Sequence, residues 1–335
     1  MKVQLLEATG PVEGRQLRLV DRPVPVPAAG EILVRVSVCG VCHTELDEIE
    51  GRLMPRLPIV PGHQVVGHVA DAGAGASRFK RGDRVGIAWI HRACGHCARC
   101  RAGAENLCAE ALWTGKDVDG GYAEYTLVSE QFAYPIPRRF SDAEAAPLLC
   151  AGVIGYRALR LAGLAPGETI ALFGFGASAH IVIQIVRHRY PGSRILVFTR
   201  GAQHRDLARR LGADWAGQPG DVAPSGFDRA IDFTPIGSTV RDALALMEPG
   251  GRLVINAIRK RDLIPALDYA THLWHEKTIQ SVANVTRRDA EEFLPLAAEI
   301  PIVPEVRMFG LAEANDALIM QKQGAMPAAA VLKVS

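Results

Sequence analysis

The stretch ETIALFGFGASAHIVIQIVRHRYPGSRILVFTR, residues 168–200, restricts the fold more than any other part of the chain. An apolar strand runs into glycines, a segment of helical periodicity follows, and a second apolar strand closes the unit. The theme recurs as helical QHRDLARRLGA (203–213), strand FDRAIDF (227–233), a helical segment near 238–247 and strand GRLVINAI (251–258). Strands that alternate with helices predict a parallel sheet covered on both faces.

Within the first turn, Gly174, Gly176 and Ala179 form G-x-G-x-x-A. Gly174 permits the tight turn, Gly176 lets backbone approach a pyrophosphate, and Ala179 allows close helix–strand packing. The following helix aims its free amides and positive dipole end at the phosphates. The strand before and the helix after are the context that separates this fingerprint from a glycine-rich turn. An NAD site usually has an acid at the end of the second strand, facing the ribose 2′-hydroxyl. Here that strand ends Thr199-Arg200. A hydroxyl and a guanidinium suit a 2′-phosphate, so the residues favour NADP(H) over NAD(H).

Residues 1–150 differ in character. Short strands EILVRVSV (31–38), GDRVGIAWI (82–90) and EYTLVSE (124–130) lie among glycines and prolines, and the change comes near Pro147. The chain of 335 residues accommodates two domains. We expect boundaries at 1–150, 151–284 and 285–335, the last segment rejoining the first domain. Net charge is only +2, with no basic or acidic block, which argues against nucleic-acid or anionic-membrane partners. The start, MKVQLLEATG, lacks a signal-peptide core, and a cytoplasmic location is expected.

In a reducing compartment clustered cysteines point to metal. Cys94, Cys97, Cys100 and Cys108 follow C-x2-C-x2-C-x7-C. A ferredoxin run requires its fourth cysteine after three residues and then proline; here the gap is seven and Ala109 follows. Four thiolates on a short loop fit a closed, tetrahedral, structural zinc site, the lobe 94–108. His96 is then a loop residue. Cys39, Cys42 and Cys150 remain, with His63 and His68 as further candidate ligands; spacing selects neither Cys42 over Cys39 nor His63 over His68.

Gly40-Val41-Cys42-His43-Thr44, Gly62-His63, the four-cysteine lobe, Gly120-Gly121-Tyr122, Leu149-Cys150-Ala151-Gly152 and the glycine loop together resemble the zinc-dependent alcohol dehydrogenases of the medium-chain dehydrogenase/reductase superfamily. The resemblance covers essentially the whole chain. It implies an α/β molecule with a GroES-like, mainly-β catalytic domain and a Rossmann, doubly wound parallel-sheet domain. It implies two zincs: a catalytic one on Cys42, His63 and Cys150, a ligand type already familiar in alcohol dehydrogenases, and the structural one in the lobe. Cys39 becomes a packed residue. The implied reaction interconverts primary alcohols and aldehydes by hydride transfer with a nicotinamide cofactor. Thr44 then takes the alcohol proton, His43 lies near the cofactor pyrophosphate, Arg287 is a further cofactor contact, and the protein is a homo-oligomer, dimer or tetramer.

Three positions depart from the family. Asp47 stands where many relatives carry histidine at the outer end of the proton relay, and it is a far weaker base. Gln64 replaces a glutamate beside the zinc-binding histidine. Glu45 replaces an aspartate and is expected to orient His63, since a ligating histidine donates its other N–H to a carboxylate or carbonyl. Trp89 resembles a substrate-lining position, with Leu53, Ile90 and Trp113 as neighbours. Such an apolar wall suits an aliphatic or aromatic alcohol. The departures leave open an enzyme that works mainly as an aldehyde reductase. A zinc-free quinone or enoyl reductase is disfavoured by the complete ligand set, and a non-enzymatic zinc/nucleotide sensor by Thr44.

Overall fold

The computed structural model describes residues 1–300, 302, 304–324 and 329–335. It forms two compact units: Met1–Cys150 with Val285–Ala298 and Val303–Ser335, and Ala151–Asn284 with Glu299–Ile302.

The first unit is built on the strand Glu31–Val41, whose apolar residues fill a core with Val65, Val85, Ile87 and Val128. That strand pairs antiparallel with Gln64–Ala72, Tyr125–Ser129 and Ala329–Lys333. Arg84–Ile87 and then Ala133–Pro135 extend the sheet on one side, and Val306–Gly310 runs parallel to Ala329–Lys333 on the other. The segment expected as one strand over 82–90 divides. It ends at Ile87, and a separate strand Ile90–Arg92 pairs with Leu112–Trp113, so Trp89 falls in the break.

The second unit is a six-stranded, all-parallel sheet. Its order is Trp215–Gly217, Arg194–Phe198, Thr169–Phe173, Phe227–Asp232, Met247–Ile255 and Thr278–Ser281. In chain order this is 3-2-1-4-5-6, the doubly wound arrangement whose ligands lie beyond the carboxyl ends of the strands. Phe173 stacks on Phe198 at 4.6 Å between ring centres, and both rings meet Phe227 edge-on in the core. The helix expected over 203–213 ends at Arg210, and Gly212 follows with φ +100°, a left-handed stop that glycine adopts without strain.

One helical stretch, Asp142–Ala162, is long and apolar enough to cross a membrane by length and composition, but 67% of its apolar window is buried, as in a core helix. Ser141 and Glu144 close its start with a capping box. Pro147 lies inside the helix, and a π turn, Leu148–Gly152, follows before α geometry resumes at Val153. Proline cannot donate the usual i→i−4 bond, and one-turn π bulges recur at functional sites. Cys150 lies within this turn.

Candidate active site

Three pieces of local structure carry the predicted catalytic ligands. Cys42 follows the long strand and caps the helix His43–Ile49. Its Sγ accepts from the Thr44 amide at 3.3 Å, while the Glu45 carboxylate accepts from the Cys42 amide at 2.9 Å. His63 follows Gly62, whose φ is +98°. A Cβ on Gly62 would lie 2.3 Å from the Tyr122 ring, so only glycine fits there. Cys150 comes from the π turn. Ligand atoms of Cys42, His63 and Cys150 all lie within 4.8 Å of one another.

The His63 ring is fixed from behind. Its Nδ1 lies 2.6 Å from Glu45 Oε1, leaving Nε2 towards Cys42 Sγ at 3.9 Å. Burial works against charge on this pair, yet mutual attraction wins: Glu45 is held below and His63 well above its ordinary pKa. The Cys42 thiol is pushed well up by its hydrogen bond with Cys150, by burial and by Glu45. Two sulfurs and a carboxylate around one buried point thus resist further negative charge unless a cation joins them. This donor set fits zinc, with three protein ligands and room for a fourth. Cys39 is fully buried against Gly62 and Gly121 and is not in the ligand group. His68 lies mid-strand, in register with Arg35 and Arg84.

The four lobe cysteines also gather within 4.8 Å. The Cys97 amide donates to Cys94 Sγ and the Cys100 amide to Cys97 Sγ, each at 3.4 Å. The amide bond lowers the Cys97 thiol to about 7, whereas burial pushes Cys100 up to about 12. No disulfide forms among the seven cysteines. Four sulfurs fill a tetrahedral site and leave no place for substrate. His96 is exposed, bonded through Nδ1 to the Cys94 carbonyl at 2.9 Å.

In the second unit, Gly174 adopts φ +82° directly after its strand. Gly176 caps the helix Ala177–Arg189 with no side-chain partner, and a Cβ there would meet nothing within 4 Å. The first amides of that helix are therefore free for an anion. Ala179 is fully buried. Thr199 is buried, its amide bonded to the Gly217 carbonyl at 2.9 Å, and Arg200 is exposed beside it. The Arg205 guanidinium clamps both carbonyls, at 2.9 and 2.7 Å.

Comparison with known proteins follows this geometry closely. Residues 28–138 match the alcohol dehydrogenase GroES-like domain family, and residues 177–299 match the zinc-binding dehydrogenase family. The chain is 45% identical to the probable alcohol dehydrogenase AdhA of Mycobacterium tuberculosis (strain CDC 1551 / Oshkosh), covering 97% of this chain and 95% of that protein. The chain belongs to the zinc-type medium-chain alcohol dehydrogenases. It catalyses NAD(P)-dependent alcohol oxidoreduction, and a purely sensory role is not favoured. An alcohol dehydrogenase of Geobacillus stearothermophilus is 35% identical over 96% of this chain and 97% of its own. A solved NAD-dependent alcohol dehydrogenase superposes with a TM-score of 0.90 at 25% identity, covering 100% of both chains.

Beside the predicted catalytic ligands of this alcohol dehydrogenase, the helix His43–Ile49 supplies Thr44, Glu45, Asp47 and Glu48, all buried. Thr44 and Asp47 stand three residues apart on one helix face. Asp47 Oδ1 accepts from Arg52 Nε at 2.6 Å, so it is a buried, paired group rather than a solvated one. His43 meets Gln321 through Nδ1 at 3.2 Å. Trp89 lies 5.8 Å from the His63 ring and 5.1 Å from Trp113, and Leu53 is half-buried. Ile90 is 2% exposed and belongs to the apolar core of the first unit. Arg287 pairs with Glu105 at 3.4 Å and with Gln131 at 3.1 Å, both in its own unit.

Two features escaped the sequence reading. Glu48 is buried with no hydrogen-bond partner on either carboxylate oxygen among the described residues, and its pKa is raised well above the usual value by burial and by Glu45. Its place one turn after Glu45 was the available signal. The other is a buried Asp232–Lys260 pair at the carboxyl edge of the parallel sheet. Nothing in periodicity marks a partner 28 residues away.

Proposed function

We propose that this alcohol dehydrogenase holds two zincs, acts on primary alcohols and aldehydes, and prefers NADP(H). The observation that carries the reading is the Cys42–His63–Cys150 cluster with His63 Nδ1 held by Glu45, which leaves Nε2 for metal. A zinc held there would supply Lewis-acid chemistry at the substrate oxygen, and a bound nicotinamide would supply the hydride chemistry.

The protein's own groups do the rest. Cys42, His63 and Cys150 hold the catalytic zinc, and Cys94, Cys97, Cys100 and Cys108 the structural one. Thr44 accepts the alcohol proton, and Asp47, on the same helix face, receives it. His43 and Arg287 assist at the cofactor. Trp89 and Trp113 supply an apolar wall that orients an aliphatic or aromatic carbinol. The glycine loop takes the pyrophosphate, and Arg200, exposed at the end of its strand, reads a 2′-phosphate. The strand Thr278–Ser281, exposed along its length at the sheet edge, supports association with a second copy. Cysteines grouped for metal and without disulfides favour a cytoplasmic location.

The test is a pair of serine variants. Cys97→Ser should lower thermal stability and remove one zinc, because a closed site contributes folding energy. Cys150→Ser should abolish turnover while the melting transition stays near that of the parent. Metal analysis that finds one zinc per parent chain would refute the two-site reading.

A further inference from the structure

Two loops at the carboxyl edge of the parallel sheet are stitched together more densely than packing requires. One follows the strand Phe227–Asp232 and the other follows Met247–Ile255. Asp232 is fully buried. Its Oδ1 accepts from the Thr234 amide at 2.8 Å and the Thr234 hydroxyl at 2.7 Å, and its Oδ2 accepts from Lys260 Nζ. Lys260 Nζ also donates to the Thr234 carbonyl at 2.7 Å. Further out, the Arg261 amide donates to the Pro235 carbonyl at 2.7 Å, and the Gly237 amide to Asp262 Oδ2 at 3.1 Å.

This stitched pair borders the glycine loop. A Cβ on Gly174 would lie 3.1 Å from Thr234 Cγ2, and the Phe233 amide donates to the Phe173 carbonyl at 2.9 Å. The strand of Gly174 lies between the strand of Arg200 on one side and that of Asp232 on the other. A dinucleotide crosses such an edge with one half on each side of the glycine turn. With the adenosine half on the Arg200 side, the nicotinamide half falls against the Thr234 and Lys260 loops. A buried ion pair is a poor stabiliser compared with apolar residues of the same volume, so packing alone does not account for this one.

We propose that Lys260 is a positioning residue for the nicotinamide half of the cofactor. Its ammonium, held between the Asp232 carboxylate and the Thr234 carbonyl, locks the two loops into one wall beside Gly174. It acts through Asp232 and Thr234 and does not touch the transferred hydride. The inference rests on the glycine loop being the pyrophosphate site.

The experiment uses the full-length, zinc-loaded enzyme and two kinds of probe: NADPH or NADH, and ADP-ribose with or without a 2′-phosphate, which lacks the nicotinamide. Lys260→Met should weaken binding of the reduced cofactors by about tenfold or more and lower kcat, while ADP-ribose affinity changes by less than about twofold. Lys260→Arg should restore most of the loss. Equal losses for both probes, or no loss for either, would overturn the proposal. Parent enzyme that binds neither probe would instead refute the cofactor site. Should Lys260→Met not fold, Asp262→Ala removes only the outer stitch to Gly237. It should give the same split at about threefold, and absence of the split overturns the proposal equally.

Discussion

Asp47 is the residue proposed above to receive the proton from Thr44. It is buried one helical turn after Thr44 and tied to Arg52. In the proposed relay a carboxylate stands in for an imidazole, which is intrinsically the stronger base, so alcohol oxidation at neutral pH should lean on hydroxide or buffer. Asp47→His should raise oxidation at pH 7 by about 3- to 30-fold, a modest part of a full general-base contribution. Asp47→Asn should lower it further and cost about 1 kcal/mol of stability, since Arg52 is partly exposed and the pair is screened. The check is the pH–rate profile of both variants with alcohol saturating. Profiles that overlay the parent's would remove Asp47 from the relay and leave it as an anchor for Arg52.

The proposed preference for NADP(H) rests on the end of the strand Arg194–Phe198. Arg205 holds the carbonyls of Thr199 and Arg200, which fixes the backbone while the Arg200 side chain stays exposed. Arg200→Ala should therefore weaken NADPH binding by about 1.5–3 kcal/mol, the scale of a hydrogen bond to a charged group. NADH binding should scarcely change, and fluorescence titration with both cofactors decides. At this scale the strand–helix alternation of the second unit was readable, because apolar periodicity is local. The break at Trp89 was not, since it depends on pairing between Ile90 and Trp113, far apart in the chain. The π turn at Cys150 was hidden too: Pro147 marks a disturbance without saying how the backbone repairs it. Family likeness selected His63 over His68. Geometry adds a reason, because His63 stands at a glycine turn beside Glu45, whereas His68 is held within a strand.

At the scale of the whole molecule, the proposed association with a second copy can be tested at one sheet edge. Thr278–Ser281 is a short edge strand with Ile279 exposed, and Tyr269 and Trp274, each 61% exposed, pack edge-on against each other. An edge of this kind can meet its own copy about a two-fold axis. If the edge forms the proposed contact, Ile279→Lys would place like charges on facing copies and should yield a smaller species, read by light scattering after size-exclusion chromatography. An unchanged mass would place the contact elsewhere. The pairing of Ala329–Lys333 with the strand that carries Cys39 and leads to Cys42 has a different consequence, in the timing of synthesis. Val331 and Leu332 stand opposite Gly40 and Cys39, almost three hundred residues apart in the chain. A nascent chain still attached to the ribosome lacks that partner strand until residues 329–333 have been made. Until then the strand leading to Cys42 must wait with one edge open, a stretch for chaperones to guard.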